Sequence, residues 1–266
     1  MPKLVLCGVD PELFVMQNGI YKSAHGLIKG DKLNPFPVDK GAVQVDGMAL
    51  EFNIDPASSE KEFITNINTV MKILKDMVPE YDVVADPVAY FTREYMDAQP
   101  KEAKMLGCEP DFNGWTMDKN IKPDVDAPFR TGAGHIHVGV CEGQDINDQS
   151  FFEVCCNAVK EMDVFLGLPS MFYDNDTKRR ELYGKAGAFR PKSYGFEYRT
   201  LSNRWLANED LMSWVYKATQ NCMKSFFAGE RISDKYKGIQ EIINSSNKKE
   251  AEKIIFAEGL LMPQGI

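Results

Sequence analysis

The chain has 266 residues, of which 44% are hydrophobic and 26% are charged, a composition typical of globular proteins. A net charge of −8 without a basic cluster argues against a surface for duplex nucleic acid, because neutralising phosphates needs clustered positive charge. No apolar run is long enough to span a membrane, and the N-terminus lacks the pattern of a signal peptide. The six cysteines form no C-x-x-C pair, so we expect reduced thiols and a cytoplasmic location.

The N-terminal part of the chain predicts strands followed by a helix. Residues 5–15 alternate in hydrophobicity, and the Asn-Gly turn signal at 18–19 predicts a hairpin. Residues 41–54 predict two strand segments separated by a second turn signal. From residue 58 to 78, apolar side chains recur at helical spacing, and Ser59 begins a capping box.

The rest of the chain alternates between irregular and regular segments. Residues 100–128 are rich in Pro, Gly, Asp and Asn and predict a long surface loop. The further predicted elements are a strand at 135–140, a helix at 150–168 ended by Gly167 and Pro169, a loop at 171–195, a strand at 196–201, and helices at 208–227, 235–244 and 247–257. No repeat or linker divides the pattern. We therefore predict a single α+β domain over residues 1–266, with a motif-bearing core at about 5–206 and a helical part at 207–266.

Two predicted strand regions carry groups of oxygen ligands. Residues at alternate positions of a strand face the same side, so Asp10 and Glu12 project together, as do Glu51 and Asn53. Asp46 lies at the turn before the second of these strands. Neighbouring carboxylates repel one another unless a cation lies between them, and Mg²⁺ prefers such ligands. The alternative is an exposed strand face with solvated acids.

Two of the three histidines lie on one face of a predicted strand that glycines surround. The imidazoles of His135 and His137 can bind a metal or donate to a phosphate oxygen. One alternative is a pair of hydrogen-bonded core histidines. Another is a cupin-like metal site that uses the H-x-H pattern and Glu142. A cupin site would need a histidine in a later strand, whereas the remaining one is His25.

An acid and an arginine share the face of the last predicted strand, and a basic segment precedes them. Glu197 and Arg199 could form a salt bridge or part of a site. Upstream lie Arg180, Lys185 and Arg190. A basic loop above an acidic face that binds metal ions suits a polyphosphate. The metal ions neutralise part of the negative charge of the phosphates, and the guanidinium groups neutralise the rest. We predict that Arg180 contacts the phosphates and that Lys185 and the loop around it form a lid against water; the alternative is a solvated loop.

In chain order, the motifs D-x-E, Glu51, G-x-G-H-x-H and E-x-R resemble those of the glutamine synthetase and glutamate–cysteine ligase superfamily. More closely, the strings GVDPELFV, VQVDGMALEFNIDPA, GAGHIHVG and FRPKSYGFEYR resemble a compact carboxylate–amine ligase family of tailed phages, type 2. The resemblance implies a curved, mainly antiparallel sheet like that of the glutamine synthetase catalytic domain, with helices on its convex face. It also implies that ATP and two or three divalent cations, Mg²⁺ or Mn²⁺, bind the concave face.

Carried over by position, the resemblance implies two sets of metal ligands. Glu12 and Glu51 would bind the cation nearer the acid substrate. Asp10, His135 and Glu197 would bind the cation that bridges the ATP phosphates. The superfamily usually has a glutamate where this chain has Asp10, so that the shorter side chain could bind through a water.

The resemblance also implies residues that contact the phosphates. His137 would contact them directly, and Arg190 and Arg199 would stabilise the transferring phosphoryl group. The acid would attack the γ-phosphate of ATP to form an acyl phosphate, which the amine would displace to form an amide bond.

The expected partners are two small molecules, with no duplex nucleic acid and no membrane, and the oligomeric state is open. We expect an amino acid as the acid; the amine could be an amino acid, a polyamine, a cell-wall peptide or a modified nucleotide. Two other functions are alternatives at this stage. One is a metal-dependent hydrolase or cupin-type enzyme that uses the H-x-H segment. The other is a non-catalytic nucleotide-binding phage protein.

Overall fold

The computed structural model of the protein describes residues 5–104, 111–121 and 127–264. Within these ranges, ten strands form one antiparallel sheet and two more form a small separate sheet. The strands are β1 (Leu6–Gln17), β2 (Ile20–Lys22), β3 (Phe36–Val38), β4 (Gly41–Asp46), β5 (Ala49–Ile54), β6 (Asp82–Val84), β7 (Val88–Tyr90), β8 (Phe112–Asn113), β9 (Phe129–Thr131), β10 (Gly134–Gly139), β11 (Ala188–Lys192) and β12 (Gly195–Tyr198). The large sheet has the order β3-β4-β5-β1-β10-β12-β11-β8, and β2 and β6 also pair with β1.

Helices follow and separate these strands. They are α1 (Glu60–Met77), α2 (Arg93–Asp97), α3 (Lys101–Lys104), α4 (Gln149–Met162), α5 (Leu168–Ser170), α6 (Lys178–Leu182), α7 (Glu209–Phe227), α8 (Ile239–Asn244) and α9 (Lys248–Glu258). A π-helical turn at Asp163–Gly167 joins α4 to α5. No helix of the described ranges is long and apolar enough to cross a membrane. The predicted α+β class with a mainly antiparallel sheet is confirmed.

The large sheet has one apolar face, which the helices cover. Strand alternation sends Val9, Ile136 and Phe196 to this side, where they are buried in the main core. Apolar residues of α1, α4 and α7 complete that core, and the ring of Phe63 stacks on Trp205. Since helices fill this side, the polar residues at the alternate strand positions lie on the opposite face, which is the side available to a ligand.

The helix predicted from residue 58 is confirmed as α1, with a modified capping box. Ser59 is the N-cap, and its Oγ accepts a hydrogen bond of 3.2 Å from the N–H of Glu62. Glu62 Oε2 accepts in return from the N–H of Ser58, at 2.8 Å, rather than from that of Ser59. The reciprocal contact therefore lies one residue earlier than the sequence pattern predicts.

The prediction of a loop at 171–195 was wrong, because this stretch contains α6 and β11. Its basic character suggested solvent exposure, yet the side chain of Arg179 is only 1% exposed. The guanidinium group donates to backbone carbonyls, among them those of Gly132, Thr200 and Leu201, at 3.0, 2.8 and 2.7 Å. A buried arginine of this kind is stable because its donors are hydrogen-bonded, and it fixes the segment against the ends of β9 and β12.

Two other expectations need correction. The helix predicted to end at Gly167 and Pro169 continues through the π-helical turn to Ser170. Pro169 is tolerated because it lies in the first turn of α5, where a missing N–H costs little. The loop predicted at 100–128 contains α3 and β8, and its residues 105–110 and 122–126 lie outside the described residues.

Candidate active site

Strand pairing aligns the predicted site residues in one polar row across the large sheet. Directly opposite residues of an antiparallel pair point to the same face. The opposed pairs are Asp10 with His135, Glu12 with Glu51, His137 with Glu197, and Glu197 with Arg190. The structure thus brings together, on the face that the helices leave free, residues that are up to about 190 positions apart in the sequence.

The first group of ligand atoms, called the first cluster below, comprises Asp10, His135 and Glu197. Their ligand atoms all lie within 4.8 Å of one another. His135 Nδ1 lies 3.1 Å from Asp10 Oδ1 and 3.4 Å from Glu197 Oε1. The short side chain of Asp10 therefore still reaches the other two ligands. Two carboxylates and an imidazole on three neighbouring strands are a donor set that divalent cations bind.

Positive side chains surround the carboxylate of Glu197, which is fully buried. Arg199 Nη1 donates to Glu197 Oε1, and Arg199 Nε donates to Asp111 Oδ2 at 3.1 Å. Lys192 Nζ lies 2.9 Å from Glu197 Oε2, and Arg190 Nη1 lies 3.8 Å from Glu197 Oε1. The salt bridge considered for the E-x-R motif is therefore present, within a larger network.

This network sets the ionisation of the first cluster. Burial raises the pKa of Glu197, but Arg199, His135 and His137 together outweigh it and leave that pKa well below its ordinary value. For Asp10, burial again raises the pKa, and His137 and His135 outweigh it, so the net shift is downward. Burial and Arg199 together lower the pKa of His135 to about 4. The first cluster therefore presents two carboxylates and a neutral imidazole at neutral pH.

The second group, called the second cluster below, comprises Glu12, Asp46 and Glu51, with ligand atoms again within 4.8 Å of one another. Burial and then the charge of Asp46 raise the pKa of Glu12 to about 7, although its Oε2 accepts from the N–H of Ala133 at 2.9 Å. Burial and the neighbouring charges of Asp10 and Asp46 raise the pKa of Glu51 well above its ordinary value. Lys32 Nζ lies 3.6 Å from Asp46 Oδ2, a single basic partner for three carboxylates. The carboxylates therefore still repel one another, and a divalent cation would remove that repulsion.

His137 lies beside the first cluster and borders a cavity. Its Nε2 lies 3.0 Å from Asp10 Oδ1, and its Nδ1 contacts the hydroxyl of Tyr194. The geometry between Nε2 and Asp10 is not that of a hydrogen bond, so the buried Nε2 has no hydrogen-bond partner among the described residues and could donate to a ligand. The cavity has a volume of about 470 Å³. Its apolar lining includes Leu6, Ile54, Pro56 and Val140, and its polar side includes His137, Tyr194 and Glu142.

Two of the predicted residues lie apart from both clusters. Arg180 Nη1 donates to Ser246 Oγ at 2.9 Å, at the turn between α8 and α9. The side chain of Lys185 is exposed, and its backbone carbonyl accepts from Thr200 Oγ1. The cupin alternative also loses its expected ligand, because His25 is exposed in the loop after β2 and belongs to neither cluster.

The structure adds site residues that the predicted set did not include. Asp46 had been noted as a neighbour of Glu51, but its turn position gave no sign that it would reach Glu12. Lys192 could have been found, since it follows Arg190 by two positions on one strand and so shares its face. Asp111 lies in a stretch predicted to be a surface loop, and no pattern in the sequence connects it to Arg199.

A comparison with known families finds one match. Residues 126–226 match the model of the family described as Phage phiEco32-like COOH.NH2 ligase-type 2. The matched stretch holds the H-x-H and E-x-R motifs, whereas the acidic strands β1 and β5 precede it. The matched family is the one that the motifs resemble, and its description indicates a carboxylate–amine ligase. Among curated proteins, none matches the chain.

Proposed function

We propose that the protein uses ATP and Mg²⁺ to join a carboxylate, that of an amino acid, to an amine, because residues 126–226 match the model of a carboxylate–amine ligase family. The observation that carries the proposal is the presence of two adjacent clusters of metal-binding residues on one open sheet face, with Arg199 and Arg190 beside one of them. Hard oxygen ligands together with guanidinium groups suit a magnesium-bound polyphosphate.

The donor sets fit two divalent cations, Mg²⁺ or Mn²⁺. We assign the cation at the ATP phosphates to the first cluster, because Arg199, Arg190 and His137 adjoin it. The cation nearer the acid is assigned to the second cluster, where the raised pKa values of Glu12 and Glu51 reflect charges that a cation would balance. When bound, such cations act as Lewis acids and hold the reactants in position.

The proposed reaction has two steps. A carboxylate oxygen of the acid attacks the γ-phosphorus of ATP, the bond between that phosphorus and ADP breaks, and an acyl phosphate forms. The amine nitrogen then attacks the acyl carbon, the bond to the phosphate oxygen breaks, and the nitrogen loses a proton. Arg199 and Arg190 neutralise charge on the phosphoryl group, and the Nε2–H of His137 donates to a phosphate oxygen.

The cavity beside His137 supports a binding site for the adenosine part of ATP. Its apolar side chains suit the face of a purine, and its volume of about 470 Å³ is in the usual range for small-molecule sites. A nucleotide with its base in this cavity would pass His137 before its phosphates reached the first cluster. The proposed site therefore runs along the sheet from the cavity to the second cluster.

Two measurements test the proposal. Saturating Mg-ATP should raise the melting temperature, because the ligand binds only the folded state, and excess EDTA should reverse the rise. ADP release should appear when small carboxylic acids are added with hydroxylamine as the amine. An unchanged melting curve with Mg-ATP would remove the main support for a ligase.

A further inference from the structure

The segment from α6 to the start of β11 is anchored to the protein on both sides. On the sheet side, Arg179 donates to the carbonyls described above. Gly184 has a φ of +68°, and a Cβ there would lie 1.9 Å from Arg179 Nη1, so a side chain at this position would displace the arginine. On the other side, the N–H of Ala186 donates to Asn244 Oδ1 at 2.8 Å. The segment is therefore held in place rather than free to act as the predicted lid.

What this anchored segment presents to the site is the phenol of Tyr183. The backbone N–H of Tyr183 donates to the carbonyl of Arg179 at 2.8 Å, which ties the tyrosine to the buried arginine. Its hydroxyl oxygen is buried and has no hydrogen-bond partner among the described residues. Burying a hydroxyl without a partner is unfavourable, so such a group in an ordered site calls for an explanation.

The contacts of the segment place the phenol beside both clusters. Gly184, the residue after Tyr183, packs on the guanidinium group of Arg179, which donates to the carbonyls of Gly132 and Arg199. The next residue after Gly132, Ala133, donates its N–H to Glu12. Burial raises the pKa of Tyr183, and the carboxylates of Glu12 and Asp111 raise it further, against the opposing effects of Arg199 and Arg130. The phenol thus lies near the second cluster and near the arginine of the first. It stays protonated at neutral pH, so it can donate a hydrogen bond. Glu12, the neighbouring acid, already accepts from Ala133.

We infer that Tyr183 donates its O–H to the attacking carboxylate of a small carboxylic acid that binds between the second cluster and Arg199. The inference rests on the proposed function and names a substrate-contacting residue for it. In the proposed function a cation at the second cluster balances the charge of Glu12, and the charges of Arg199 and Arg130 then favour a carboxylate at this position, where it accepts the hydrogen bond of the phenol. The contact orients the carboxylate oxygen toward the γ-phosphorus and holds the acyl group during the second step.

Tyr183→Phe tests the inference, since it removes only the hydroxyl. We expect ADP release with Mg-ATP, hydroxylamine and a set of acids (acetate, dicarboxylates and the proteinogenic amino acids) to fall roughly 10- to 100-fold, the usual effect of losing a hydrogen bond to a charged group. Melting temperature and the Mg-ATP shift should stay at wild-type values, because the hydroxyl has no partner within the described protein. The matched control is Tyr236→Phe, which removes a hydroxyl that donates to Glu258 Oε1 at 2.6 Å, a pair that belongs to neither cluster.

The outcomes separate this inference from its premise. Wild-type turnover in Tyr183→Phe, or loss of the Mg-ATP shift in that variant, would overturn the role of Tyr183 while the ligase proposal stands. If the wild-type protein binds Mg-ATP but none of the acids supports ADP release, the small carboxylate is the wrong ligand and the inference fails. A wild-type protein that does not bind Mg-ATP would end both. An equal loss in Tyr236→Phe would show that the effect is not specific to the site.

Discussion

The two ligand clusters lie side by side on one sheet face, yet the protein treats their charges in opposite ways. Around the first cluster, Arg199 and the histidines keep the pKa values of Asp10 and Glu197 low. In the second cluster, the pKa values of Glu12 and Glu51 are raised. The first cluster therefore has its charge balanced within the protein, whereas the three carboxylates of the second share one ion pair, that of Asp46 with Lys32, and carry an excess of negative charge unless a cation or a proton binds.

The two clusters should therefore differ in how much their shape depends on a bound metal ion. The first cluster is preorganised by ion pairs, so its shape should depend little on metal. In the second cluster the carboxylates repel one another, and a bound cation would reduce this repulsion. The affinity for a cation there should therefore be coupled to the stability of the fold. In the proposed function, the phosphates would then meet a rigid cluster, and the acid would meet a cluster whose shape depends on the cation.

Exchanging one acid in each cluster for glutamine should have the largest effect and should separate the clusters. Glu51→Gln and Glu197→Gln should both abolish ADP release, because each removes a charge that a hard cation needs. Their effects on folding should differ in sign. In EDTA, Glu51→Gln should raise the melting temperature by relieving repulsion. Glu197→Gln should lower stability by roughly 3 kcal/mol, since it leaves Arg199 and Lys192 without their buried partner. Equal shifts in melting temperature for Glu51→Gln and Glu197→Gln would contradict the opposite charge balance of the two clusters.

Arg199→Lys should have the next largest effect, within the first cluster. Lysine keeps the charge but loses the planar fork by which Arg199 reaches Glu197 and Asp111 together. If Arg199 stabilises the transferring phosphoryl group, turnover should fall about a hundredfold, or roughly 3 kcal/mol, with a smaller change in the affinity for ATP. Steady-state ADP release, corrected for the folded fraction, measures this. Wild-type turnover with a lowered melting temperature would make Arg199 a structural residue only.

The pH dependence of metal-free stability should reveal the second cluster. The pKa of Glu12 is about 7 in the folded protein against an ordinary 4.5, so its contribution to stability is complete below the ordinary value and is lost as pH rises through 7. The pKa values of Glu51 and His137 are also raised in the folded protein, so their contributions to stability likewise fall as the pH rises. The pKa of His135 is lowered, so its contribution to stability rises with pH, but only below its unfolded pKa of about 6.5.

In EDTA, the melting temperature should therefore fall between about pH 6.5 and pH 8, by the equivalent of roughly 2 kcal/mol. Excess Mg²⁺ should flatten the slope, and Glu51→Gln should reduce it without metal. A melting temperature that rises over this range would contradict the electrostatic account of the second cluster.

Much of this architecture was predictable from the sequence because strand periodicity is local. Alternation placed Asp10 with Glu12 and His135 with His137 on single strand faces, and the turn signals separated β4 from β5. The register that sets Glu12 opposite Glu51 depends on pairing between distant strands, and only the family resemblance indicated that these residues would meet. The burial of Arg179 could not be predicted, because an arginine is stable inside only if nearby carbonyls accept its hydrogen bonds, and those carbonyls come from residues 132 and 199–201. The contact of Asp111 with Arg199 likewise joins residues that are distant in the sequence, and no local pattern indicates it.

Tyr194→Phe should have the smallest effect, and it tests whether Tyr194 fixes the orientation of the His137 ring beside the first cluster. The hydroxyl of Tyr194 contacts Nδ1 of His137, whose Nε2 faces Asp10, so the tyrosine fixes the orientation of the ring. Without that contact the ring can turn, and the Nε2–H should meet the ATP phosphates less often. One neutral hydrogen bond of this kind contributes about 1 kcal/mol, so we expect the KM for ATP to rise roughly fivefold with little change in kcat. Initial rates of ADP release over a range of ATP concentrations measure both constants, with Tyr236→Phe as the matched control. A fall in kcat at an unchanged KM would instead place His137 in the chemical step, and wild-type values of both would mean that neighbouring groups hold the imidazole without help from Tyr194.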